Sequence, residues 1–340
     1  MNKKLIGVLG AIAVLLGGYF ALSSWASEQA VREVRIALLE SNLDRAVRYR
    51  DVSASLLGGS VTLHDVEIRD ADGRGNPVTA ARVVVSDIEK DHDQLTAIRL
   101  RFEGLNISVL ESARRPDDAG ALLRLVSLDT RYELIGMGYS NLNGTVEVYG
   151  QIDPDLREAR AEIEADFDGF QAMSGELAMS GVDRDVLKAL IDAQQLLASQ
   201  SIFSFLSKGP QVIEAASRLE LMDLQLSIED RGLHDRLQTT LAEKYLVPGD
   251  GDQRALEIAE LAKRDVVNEL FRRDSDPRII QDVAKQVSGY VETGGTLSLT
   301  TNIAHPLPLF ERGGMLGIKP APVIQNFERF MLLADARLEH

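Results

Sequence analysis

The chain has 340 residues, 37 Lys+Arg against 52 Asp+Glu, a formal net charge of −15 and 45% hydrophobic residues. That hydrophobic share rules out a disordered chain, and the acidity with only 5% aromatic residues argues against nucleic acid as a partner. There is no cysteine, which excludes disulfides, thiolate catalysis and Cys-ligated zinc or iron–sulfur. The length suggests about two domains.

Lys3 and Lys4 precede an uncharged run from Leu5 to Ala26. As a helix this run measures roughly 33 Å, enough to cross a hydrocarbon core of ~30 Å. Tyr19 and Trp25 sit towards its far end, where amphipathic rings favour the interface. The lysines predict an N-in orientation, with the rest of the chain exported. Residues 1–26 read either as a retained transmembrane anchor or as a signal peptide cleaved after Ser24-Trp25-Ala26. Residues 27–45 continue as a helix, with Val31, Val34 and Leu38 on one stripe, a stalk or a partner-binding helix.

From Val47 to Val109 the apolar period changes from 3.6 to 2. Residues 47–56 and 61–68 are predicted to pair as a hairpin across Leu57-Gly58-Gly59-Ser60. A turn at 70–77 and strands at Val83–Ile88 and Ile98–Val109 follow. Further strands are expected at Tyr132–Leu134, Thr145–Ile152, Leu156–Phe167 and Gly175–Gly181. Asp183 is placed to N-cap a helix reaching about Ser199. Arg218–Glu229 reads as a strand, and Asp230–Tyr245, Asp252–Arg273 and Pro277–Ser288 read as helices. The third of these has Asp276 at N-cap and Pro277 at N1. A last strand carries Leu297, Leu299, Thr301 and Ile303 on one face, and a short helix is expected around Ile324–Leu333. Leu338-Glu339-His340 has the look of an expression-vector scar and carries no expectation.

Three segments share one pattern, apolar-x-apolar-x-[Asp/Gly]-apolar-x-apolar. They supply Val61, Leu63, Val66 and Ile68; Leu100, Phe102, Leu105 and Ile107; and Leu219, Leu221, Leu224 and Leu226. In a regular strand the skipped beat would send the second half to the opposite face. A β-bulge at the intervening pair keeps both halves together and bends the strand. Strands bent at similar places make a curved sheet with one apolar face. That face is either a core under the predicted helices or a groove for lipid, lined by these twelve side chains.

The run Leu57-Gly58-Gly59-Ser60-Val61-Thr62-Leu63-His64-Asp65-Val66-Glu67-Ile68-Arg69-Asp70-Ala71-Asp72-Gly73, followed by Ala80-Ala81-Arg82-Val83-Val84-Val85, resembles the N-terminal module of AsmA-like envelope proteins. The related YdgA-like proteins of Gram-negative bacteria are similar in layout. The resemblance covers residues 1 to about 109. It implies an inner-membrane-anchored periplasmic protein with a repeating β-groove that handles lipid or supports envelope assembly. Residues 183–290 depart from it, being mainly helical, and the family supplies no catalytic residues.

No chemical motif stands out. Histidines at 64, 92, 234, 305 and 340 are scattered, and there is no H-E-x-x-H, G-x-S-x-G, S-x-x-K or P-loop. Gly313–Lys319 reads as a loop, and 70–75 as a turn without the ligands of a calcium loop. Asp87, Glu89, Asp91 and Asp93 read as a solvated turn or a cation site. Asn106-Ile107-Ser108 and Asn143-Gly144-Thr145 match the glycosylation pattern by chance. Asp166/Asp168 is the carboxylate pair a hydrolase would need.

The sequence thus predicts an α+β fold: an N-terminal transmembrane helix, then a curved, mainly antiparallel β-sheet with helices packed over part of it. The expected divisions are 1–26 anchor, 27–45 stalk, 46–182 β-rich domain, 183–310 mixed domain and 311–340 tail. The expected function is non-enzymatic: holding or passing acyl chains in the periplasm, or binding a protein partner as a scaffold or regulator. Membrane lipids or another envelope protein are the expected partners, with no cofactor and no metal.

Overall fold

The computed structural model describes residues 47–55, 60–69, 77–91, 94–109, 134–186, 189, 211–245, 247, 251–271, 275–312 and 318–340. The expected anchor and stalk lie outside these. No helix among the described residues is long and apolar enough to cross a membrane. Most of what is described is antiparallel sheet, joined by several helices. The chain divides into two compact units: Met1–Gln151 with Ala165–Asp168, and Ile152–Glu164 with Gly169–His340.

The first unit is a sheet of β1 (Val47–Arg48), β2 (Asp51–Ser55), β3 (Ser60–Ile68), β4 (Val78–Asp91), β5 (Gln94–Ser108) and β6 (Asn141–Asp153, to Gln151 in this unit). The order is β1-β3-β4-β5-β6, with β2 beside β1 on the same edge of β3. The hairpin expected at 47–68 is present, with Val52 opposite Leu63 and Ala54 opposite Val61. The Val52 amide is taken by the Asp51 carboxylate at 2.8 Å, which blunts the sheet edge.

The skipped beat runs across neighbouring strands. In β3, Asp65 takes φ 50° and the buried Leu63 and Val66 are three residues apart. In β5, Gly104 takes φ 63° between Phe102 and the buried Leu105. In β4, Ala80 and Val83 are both buried while Ala81 and Arg82 between them are exposed. Because β3, β4 and β5 all skip at one level, their mutual register is kept: Val66 pairs Ala80, His64 pairs Arg82 and Arg82 pairs Glu103. β6 does not follow, so the register shifts between Phe102↔Val146 and Leu105↔Gly144, and the extra β5 residue becomes a bulge. Gly104 must be glycine, because a Cβ would sit 2.9 Å from the Ala81 Cβ at a φ that L side chains avoid. Gly144 is constrained more tightly by space, since a Cβ there would lie 2.0 Å from the Asp166 carbonyl oxygen.

One expectation fails in this unit. Leu134 does not end a strand but opens a helical turn at 134–136. The amides of Gly138 and Tyr139 close it on the carbonyls of Ile135 and Leu134, each at 2.9 Å. Leu134 and Tyr139 are both buried from this turn.

In the second unit, β7 (Glu158–Phe167, to Glu164 here), β8 (Gln171–Ser180) and β9 (Glu220–Asp230) are followed by α1 (Leu233–Tyr245), α2 (Gly251–Leu270) and α3 (Pro277–Thr293). Then come β10 (Thr296–Thr300), β11 (Leu307–Pro308), β12 (Phe310–Arg312), β13 (Ile318–Pro320), α4 (Pro322–Gln325), α5 (Phe327–Leu333) and β14 (Arg337–Glu339). The sheet order is β7-β8-β9-β10-β14, β11 also pairs β9, and β12 and β13 form a separate ribbon. Residues 337–339 thus belong to the sheet, and His340 continues the docking: its amide donates to Gln286 Oε1 at 2.9 Å and its ring Nε2–H to the Gly294 carbonyl at 2.5 Å.

The helix caps follow the sequence. The Asp276 carboxylate accepts from the Arg278 amide at 2.8 Å, with Pro277 at N1. The Asp183 carboxylate accepts from the Val186 amide at 2.9 Å. That amide first, and then the nearby Arg218, hold the carboxyl below its usual range. Residues 184–186 and 189 are helical, and the remainder of that expected helix lies outside the described residues. α3 is shared between two cores. Val283 joins Leu221, Phe271, Phe330 and Met331 under the sheet, while Val291 joins Ala242, Ile258 and Ala259 of α1 and α2. Each side chain buried this way contributes roughly 1.5–3 kcal/mol.

Candidate functional site

The eight candidate side chains of the first unit form apolar rows across the strands. One row runs Val52, Leu63, Val83, Phe102, Val146, each opposite the next. A second runs Ala54, Val61, Val85, Leu100, Val148. Beyond the kink, Ile68 faces Val78 and Ile107 faces Leu142. Leu63, Val66, Leu100, Leu105 and Ile107 are buried; Val61, Ile68 and Phe102 are half-buried. The sequence thus picks out side chains that share one packed face.

The opposite face of these strands is ionic. Arg82 pairs with Glu103 at 2.6 Å, and Arg101 bridges Glu103 and Glu147 at 3.2 and 3.6 Å. Arg99 bonds Asp87 and Glu147 and lies 4.6 Å from the centre of the Tyr149 ring. These partners raise the Arg99 pKa, with Asp87 the larger contributor. Asp87, from the acidic run at 87–93, therefore sits in an ion-pair network, at φ 50° beside a register shift between Ser86 and Glu89. His64 hydrogen-bonds the Ser53 hydroxyl at 3.0 Å on an exposed strand pair. No group of three or more metal-binding side chains occurs among the described residues.

In the second unit the repeat is split between two environments. Its bulge lies where expected: Met179 pairs Leu221 and Ala178 pairs Asp223, so Met222 is the extra residue. At that point β10 leaves β9, and Thr301 fills the gap. Its hydroxyl accepts from the Leu224 amide at 2.8 Å and donates to the Asp223 carboxylate at 2.9 Å. The side chains of Leu297 and Leu299 therefore share a strand, while Thr301 and Ile303 fall beyond its end. β9 then pairs with β11, Leu221 opposite Leu307.

Leu219 is buried against Val182, Val186 and Ala215. Leu221 lies in a buried cluster with Phe271, Val283, Phe330 and Met331, and Leu224 packs against that cluster. Leu226, on the same face, is 42% exposed, and so is Ile163 at 39%. Between them lies Gly175, whose position a Cβ would occupy 3.1 Å from both side chains. Leu226 also faces Leu299, which faces Leu338. Ile163 and Gly175 were not among the candidates. The alternation of residues 159–167 marks Ile163 as inward-facing, but no local signal says the helical cover stops short of it.

A separate open cleft of about 640 Å³ lies between α2 and α3, lined by charged and amide side chains with His340 at its edge. Tyr290 stacks edge-on against His340, and burial, then Asp230, pushes its hydroxyl above the usual tyrosine range.

Residues 164–328 match a protein-family model described as an uncharacterized protein. The matched segment runs from the end of β7 to the start of α5, and so takes in β9, its bulge and α1–α3. No curated protein matches the chain.

Proposed function

We propose that this is a non-enzymatic envelope protein, held at the bacterial inner membrane by its N-terminal apolar run and facing the periplasm. There it binds a protein partner, as a scaffold or regulator of envelope assembly. The observation that carries the reading is the exposed pair Ile163 and Leu226 beside a sheet face otherwise packed under helices. Exposed apolar side chains grouped on one face favour a partner that buries them. The burial of Leu221 in a core cluster, with Leu224 packed against it, supports this over a continuous lipid channel, which would need both side chains open. The lipid-carrying reading keeps one foothold: the apolar strip of Ile163, Gly175 and Leu226 is also a surface on which an acyl chain can lie.

The test is site-specific photo-crosslinking of the full chain in its own membrane, with the reactive residue at position 226 and, as control, at Gln225 on the other face. A discrete protein adduct at 226 and not at 225 supports the reading. Mass identification of a phospholipid adduct at 226 replaces it with the lipid-carrying one. Equal labelling at both positions, or none, overturns both.

A further inference from the structure

We draw no further inference here: the strongest candidate, the open cleft between α2 and α3 that His340 also lines, is walled by helix-surface side chains, Lys263 among them paired with Glu260, and nothing in the structure shows what would occupy it.

Discussion

Leu221 and Leu226 lie five residues apart on β9 and on the same face, yet one is 4% exposed and the other 42%. The bulge at Met222 keeps them in phase, and only the first belongs to the buried cluster with Phe271, Val283, Phe330 and Met331. A single repeat unit therefore supplies both core and surface, and its residues should respond differently to substitution.

At the kink of the first unit, Gly104→Ala meets both a left-handed φ and the Ala81 Cβ. The expected loss is about 1–3 kcal/mol in denaturant unfolding. Ala81→Gly in the same chain relieves the contact but not the dihedral, so the double variant should recover only part of the loss. Full recovery would mean that backbone strain contributes nothing at this site.

Gly144→Ala should be the more damaging change, because its Cβ would collide with a backbone carbonyl and no side chain can yield. A loss of about 3 kcal/mol or more is expected in the same assay. A Gly144→Ala chain as stable as the parent would show that Asp166 does not pass over this strand.

Thr301 substitutes for a missing strand where β10 departs from β9. Thr301→Val keeps the shape but leaves the Leu224 amide and the Asp223 carboxylate without that hydroxyl, costing about 1–3 kcal/mol. Thr301→Ser should restore most of the stability. A loss in Thr301→Ser with none in Thr301→Val would point to the methyl group instead of the hydrogen bonds.

The Asp183 carboxyl is held below its usual range in the folded chain, so its charged form favours the native state. That contribution is fully present above the unfolded value of ~3.9 and is lost as pH falls through the lower folded value. Asp183→Ala should cost about 1 kcal/mol at neutral pH, and the gap between variant and parent should close in acid. Asp183→Asn keeps a capping oxygen without the charge, so it should show a smaller loss at neutral pH and less closing of the gap. A gap independent of pH would separate the cap from the charge altogether.

The parts of this fold that are written in local chemistry can be read from the sequence. The kink at Asp65 and the bulges at Gly104 and Met222-Asp223 follow from two intervening positions inserted into an alternating pattern, and the caps at Asp183 and Asp276 from side chains placed before helical stretches. The kink in β4 escapes the same reading although Val78-x-Ala80-Ala81-Arg82-Val83 carries the spacing, because Arg82 stands where the others have Asp or Gly. Asp87 escapes it too, since the carboxylates that follow it disguise a bulge residue as a solvated turn. Which apolar face is covered is not a local property. Leu224 and Leu226 are equivalent in pattern, and only a cluster assembled from residues distant in sequence, among them Phe271, Val283, Phe330 and Met331, makes one half-buried in a core and leaves the other exposed.

The most direct test of this division compares the thermal unfolding of Leu221→Asp and Leu226→Asp in the full chain. A carboxylate at 221 enters a packed apolar cluster without a partner and should cost several kcal/mol, on the order of 3 or more. At 226 it meets solvent, so the unfolding midpoint should stay near that of the parent, and with the photo-reactive residue moved to position 163 the protein adduct should be lost in Leu226→Asp. Equal destabilisation by both variants would place Leu226 in the core and contradict the account.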